Sequence, residues 1–135
     1  MDICEKDENF GKVNEANCLE QFRELFDSAL KINTNKWATF DYSCDGCYVE
    51  LKSRRCAHNK YKDIMIGLNK IQYCSNMTRP VYFCFSFEDG IYYWKYNKED
   101  LENGNVVIRK GGRTDRGVDE TKDCAYINSA ILKKV

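Results

Sequence analysis

Apolar residues recur at helical spacing between Lys12 and Ile32. Cys18, Leu19, Phe22, Leu25, Phe26, Ala29 and Leu30 fall on one stripe and predict a helix. Downstream the period shortens. Strands are predicted near Trp37–Tyr42 and Cys47–Ser53, on either side of Asp45-Gly46, a strong hairpin signal. Tyr61, Ile64, Met65, Leu68 and Ile71 return to helical spacing and predict a second helix from about Lys60 to Cys74. Pro80 opens VYFCFSF, apolar on both faces and therefore read as a central strand. Glu88-Asp89-Gly90 turns that strand into IYYWKYN. A short strand near Val106–Ile108, a basic glycine-rich loop (RKGGRTDRG) and an ambiguous apolar tail (AYINSAILKKV) follow. This order predicts an α/β (α+β) architecture, a central mixed sheet flanked by helices.

Composition changes the picture in three places. A chain of 135 residues with one Pro, no repeat and no linker reads as one domain, 1–135, large enough to bury a core. Eight cysteines raise the question of a disulfide scaffold. MDICEKDENF has neither a basic start nor an apolar run, and no stretch approaches membrane length. The expectation is therefore an intracellular protein (cytoplasm or nucleus) in a reducing compartment, with no signal peptide, no membrane contact and mostly buried free thiols. Net charge is zero, so only local basic patches support a nucleic-acid partner.

The chemistry concentrates in DYSCDGCYVELKSRR. A two-residue turn at Asp45-Gly46 fixes the register: Cys44 with Cys47, Ser43 with Tyr48, Tyr42 with Val49, Asp41 with Glu50. The last is a cross-strand pair with Cβ atoms about 4.5–5.5 Å apart. Lys52 shares the face of Glu50, while Val49 and Leu51 point away. Two carboxylates so placed repel, and a bound cation reverses the sign of that interaction; hard ions such as Mg²⁺ or Mn²⁺ suit carboxylate oxygen. The simpler reading is a solvated polar face on which Lys52 neutralises one acid. The first helix adds a third acid. With Glu15 at zero on a helical wheel, Leu19, Phe22, Phe26 and Ala29 fall near +40°, −20°, +20° and −40°, at about 100° per residue. Glu15 thus sits inside the apolar stripe, where a carboxylate is costly unless paired or metal-bound.

This arrangement resembles the PD-(D/E)xK nuclease superfamily, which includes restriction-endonuclease-like, Holliday-junction-resolvase-like and viral or phage-type endonucleases. The matching pieces are Glu15 on the first helix, Asp41 before the hairpin, Glu50-Leu-Lys52 on the next strand, then YKDIMIGLNKIQYC and VYFCFSF. Phe40 stands where many members carry Pro. The resemblance implies a core of helix, three strands, helix, strand. It implies Asp41, Glu50, the Leu51 carbonyl and Glu15 around Mg²⁺, with Mn²⁺ able to substitute, and Lys52 positioning the attacking water. Lys70 takes the place of an auxiliary polar residue on the second helix. The implied activity is metal-dependent endonucleolytic cleavage of DNA, with RNA an open variant, no organic cofactor, and a homodimer a possible assembly.

Two basic patches fit such a substrate. Arg54, Arg55, Lys60 and Lys62 follow the Lys52 strand, and Arg109, Lys110, Arg113 and Arg116 lie in the glycine-rich loop. Two other readings stay open. One is a non-catalytic nucleic-acid-binding module on the same fold. The other is a small zinc module using Cys44, Cys47, Cys56 and His58.

Overall fold

A computed structural model describes residues 15–35, 37–111 and 122–135 of the chain. Residues 15–25 form helix α1. The strands β1 (Lys31–Ile32), β2 (Tyr42–Ser43), β3 (Tyr48–Ser53) and β4 (Asp63–Gly67) follow, then helix α2 (Leu68–Cys74). Next come β5 (Val81–Phe87), β6 (Gly90–Lys95), helix α3 (Lys98–Glu102), β7 (Val106–Gly111) and β8 (Lys122–Asn128). A 3-10 turn (Ser129–Ile131) and β9 (Lys133–Lys134) complete the order. The main sheet has six strands in the order β1-β2-β3-β5-β6-β9; a second has three, β4-β8-β7. β3 and β5 run parallel and the other pairings are antiparallel, so the main sheet is mixed, as expected. The fold is α+β but richer in sheet than the sequence predicts.

Two elements differ from expectation for physical reasons. The first helix does not reach Ile32. Asp27 Oδ1 accepts the Ala29 amide at 2.9 Å and Arg23 Nε donates to the Leu30 carbonyl at 2.8 Å, so local side-chain bonds replace the next helical turn. The second helix does not begin at Lys60. Asp63–Gly67 is a strand, with Ile64 and Ile66 buried between more exposed neighbours, and only Leu68–Cys74 is helical. The apolar set Tyr61, Ile64, Met65, Leu68 and Ile71 satisfies a helical stripe, yet Ile64 and Ile66 also satisfy an alternating one. The partner strand β8 decides between them.

The main sheet is buried on both faces. On one, Phe83, Phe85, Phe87 and Trp94 pack with Ile64 and Ile66 of β4, Ile71 and Cys74 of α2, and Val106, Ala125 and Ile127 of the second sheet. On the other, Tyr42, Val49, Leu51 and Cys84 pack with Cys18 and Phe22 of α1 and with Leu30. β5 lies at the centre, as its two-faced apolar run predicts. Phe85 has no solvent exposure; Phe85→Ala is expected to lower stability by about 3–5 kcal/mol in urea unfolding. Cys18, Cys44, Cys47, Cys56, Cys74, Cys84 and Cys124 are free thiols. Among the described residues no helix is long and apolar enough to cross a membrane.

Candidate active site

The hairpin has the register counted from Asp45-Gly46: Tyr42 pairs with Val49 and Ser43 with Tyr48. Alternation along β3 then turns Val49 and Leu51 toward α1, and Glu50 and Lys52 toward the face of their β5 partners Phe83 and Phe85. Glu50 is only 3% exposed, the one charged residue among the buried side chains described. Its position is not the solvated polar face of the simpler reading.

Asp41 reaches the same place from the other strand. Asn33 brackets it: the Asn33 amide donates to the Asp41 carbonyl and Asn33 Nδ2 to the Phe40 carbonyl, both at 2.8 Å. Ser43 Oγ bonds Asn33 Oδ1 at 2.8 Å. The Asp41 carboxylate accepts the Leu51 amide at 2.8 Å, which holds it against β3 beside Glu50. Sequence reasoning missed Asn33, which lies between the predicted first helix and the strand predicted from Trp37.

Lys70 comes down from α2 onto the same acid. Its Nζ lies 2.8 Å from Glu50 Oε2, donates to the Thr39 carbonyl, and sits 5.5 Å from the centre of the Phe40 ring. Glu50 Oε2 itself is buried, and the Lys70 ammonium is the cation that faces it. Burial above all, then the hydrogen bond and charge of Asp41, push the Glu50 carboxyl up to about 8, against the opposing pull of Lys52 and Lys70. At neutral pH the acid therefore holds its proton, and the Lys70 contact becomes a full ion pair only at higher pH. Cys74 stands close by; burial, then the Glu50 charge, push its thiol up to about 12. Beside the acids a cleft of 340 Å³ is lined by Lys52, Arg54, Asn69 and Lys70, with Met65 and Cys124 from the second sheet.

The remaining predicted residues divide. Glu15 lies on α1, on the other face of the sheet from Glu50. Its carbonyl accepts the Tyr42 hydroxyl at 2.5 Å, and its charge, like that of Asp41, bears on the Tyr42 phenol. Arg54 lines the cleft, but its guanidinium is held by the carbonyls of Ser53 and Met65 at 3.2 and 3.4 Å. Arg55, Lys60 and Lys62 are exposed, with Lys60 Nζ 5.5 Å from the Tyr61 ring centre. Arg109 is paired to Asp63 at 3.1 Å and covers the Tyr126 ring. Arg113 and Arg116 lie outside the described residues. The expected four-ligand zinc set does not assemble. His58 is stacked on Tyr92 and bound to Asp89 at 2.5 Å. Cys56 packs with the Phe83 cluster, whereas Cys44 and Cys47 belong to the α1 cluster.

A buried carboxyl and a second carboxylate held beside it are donors that a hard divalent cation takes. The residues present fit such an ion, and they make this an α+β protein with an acidic centre suited to divalent metal. The family described as "Phage putative PDDEXK endonuclease" matches residues 21–131, a span that takes in Asp41, Glu50, Lys52 and Lys70. The chain belongs to that family. No curated protein and no solved structure gives a significant match.

Proposed function

We propose that the protein is a Mg²⁺-dependent endonuclease that hydrolyses phosphodiester bonds in DNA, with Asp41, Glu50 and Lys52 at its centre. The observation that carries this reading is Glu50, a carboxyl buried in the middle of a sheet with the Asp41 carboxylate held beside it, in a chain of a PD-(D/E)xK family. The mixed sheet supports it: β3, which carries Glu50 and Lys52, pairs parallel with β5, with α1 packed on one face and α2 on the other.

Asp41, Glu50 and the Leu51 carbonyl would hold the ion; Glu15, expected as a third acid, lies across the sheet beside Tyr42 and takes no part in that set. When bound, the metal supplies a lowered water pKa and neutralises charge that builds on the phosphate. Lys52 lines the cleft and, among the described residues, makes no ion pair. Its ammonium is therefore free to orient a water or a phosphate oxygen. Lys70 lies against Glu50 and favours its ionised form, the form in which it would hold the ion. Arg55, Lys60 and Lys62 offer exposed positive charge to the backbone of the substrate, with Arg54 at the cleft wall.

The test is cleavage of supercoiled plasmid and of labelled single-stranded, duplex and branched DNA, with Mg²⁺, Mn²⁺ or EDTA. Cutting with metal, none in EDTA and none by Asp41→Asn is the expected result. Intact DNA under every condition, with DNA still bound, would replace the enzyme by a binding module. Cutting of RNA alone would move the substrate class.

A further inference from the structure

Cys44, Cys47 and Asp27 meet at the turn of the β2–β3 hairpin, on the α1 side of the main sheet. We infer that these three residues form a second metal site, for a borderline-soft divalent cation such as Zn²⁺, which staples the end of α1 to the hairpin. The inference is independent of the nuclease reading and replaces the Cys56 and His58 of the sequence expectation with a carboxylate that sequence spacing does not reveal.

Three observations point to it. The first is distance. Cys44 Sγ and Cys47 Sγ stand 3.9 Å apart, and all three ligand atoms lie within 4.8 Å of one another. Two thiolates on one tetrahedral zinc, with Zn–S of about 2.3 Å, stand about 3.8 Å apart. A disulfide needs about 2.05 Å, so the hairpin holds the sulfurs at metal spacing, not bonding distance.

The second is Gly46. A hairpin glycine is usually required for a positive φ. Here the positive-φ glycines are Gly90 and Gly104, so the turn itself does not demand glycine at position 46. What it leaves is room: a Cβ on Gly46 would stand 2.2 Å from Asp27 Oδ2, and the carboxylate would have to turn aside. The missing side chain admits a carboxylate next to two thiols.

The third is orientation. Asp27 Oδ1 is occupied by the Ala29 amide at 2.9 Å, which aims Oδ2 at the hairpin, and no cation among the described residues pairs with it. Arg79 fixes the other side by donating to the Cys44 carbonyl at 2.8 Å. Cys47 is buried beneath the hairpin turn. Cys-x2-Cys is also a common spacing for half of a zinc site, and a solvent molecule would complete the four ligands.

The experiment uses the full chain, reduced and stripped with chelator. Zn²⁺ is titrated against a chromogenic indicator, and Co²⁺ is added to look for thiolate charge-transfer absorption. About one zinc per chain is expected, with Co²⁺ bands of a thiolate site. Cys44→Ser and Asp27→Asn, shown folded by circular dichroism, are expected to weaken zinc by more than about tenfold, and Cys56→Ser to leave it unchanged. Zinc is expected to raise the melting temperature of the parent and not of Cys44→Ser. Substoichiometric zinc in the reduced parent, undiminished binding by Cys44→Ser, or equal loss in Cys56→Ser would each overturn the site.

Discussion

Glu50→Gln is expected to abolish cleavage and, in EDTA, to make the protein more stable. The loss of cleavage, by more than about a thousandfold, follows from removing a charged oxygen from the centre where charge develops. The gain in stability follows from burial. Unfolded, the carboxyl ionises near its ordinary 4.5; folded, it keeps its proton up to about 8. Between those values the unfolded chain has lost the proton and the folded one has not. Stability from this group therefore falls as pH rises through that window and levels off above it. One pKa unit is worth about 1.4 kcal/mol, so the full penalty is on the order of 4 to 5 kcal/mol. Gln carries no such penalty. Melting temperatures of parent and variant in EDTA should separate progressively from pH 5 to pH 8, then run parallel. Mg²⁺ should raise the melting temperature of the parent, more at pH 8 than at pH 6, and leave Glu50→Gln unmoved. A variant less stable than the parent at pH 8 would mean that the acid is a structural partner of Lys70 and not a cost accepted for function.

Lys52→Met is the second large effect, and it separates two amines that share one cleft. Lys52 is half-buried, with no ion pair among the described residues, so its loss is expected to change stability by less than about 1 kcal/mol. Turnover is expected to fall by about 100- to 1,000-fold with KM little altered, the pattern of an interaction made mainly in the transition state. Whatever activity remains should need a higher pH, because Lys52 is one of the two cations that pull the Glu50 carboxyl down. A raised KM with unchanged turnover would make Lys52 a phosphate contact and no more.

The hairpin was the most legible part of the chain, for a local reason. A short turn fixes register by counting, so Tyr42 against Val49, and hence Asp41 near Glu50, could be read from the spacing of residues around Asp45-Gly46. The central strand was equally legible, because VYFCFSF is apolar on both faces and only a doubly covered strand wants that. The segment before α2 was not. Ile64 and Met65 fit a helix, Ile64 and Ile66 fit a strand, and the deciding contact, β8, lies some sixty residues away in sequence. The candidate site shows the same division. Lys70 reads in the sequence only as an auxiliary polar residue of the second helix, since one cation on an amphipathic stretch does not announce a buried acid across the fold. Asn33 and Asp27 were missed because each acts through a bond to a segment that only tertiary folding brings near.

The ends of the main sheet bear on how the protein behaves at high concentration. β1 and β9 are two-residue strands, and β9 carries Lys133 and Lys134 beside Tyr92 and Tyr93 of β6. Short, lysine-bearing borders are poor templates for another chain, whereas an uncovered β6 (GIYYWK) would offer an aromatic ribbon to any neighbour. Solubility in this fold thus hangs on a few residues remote from the acids: trimming or tagging that removes β9 would be paid in aggregation before it was noticed in catalysis.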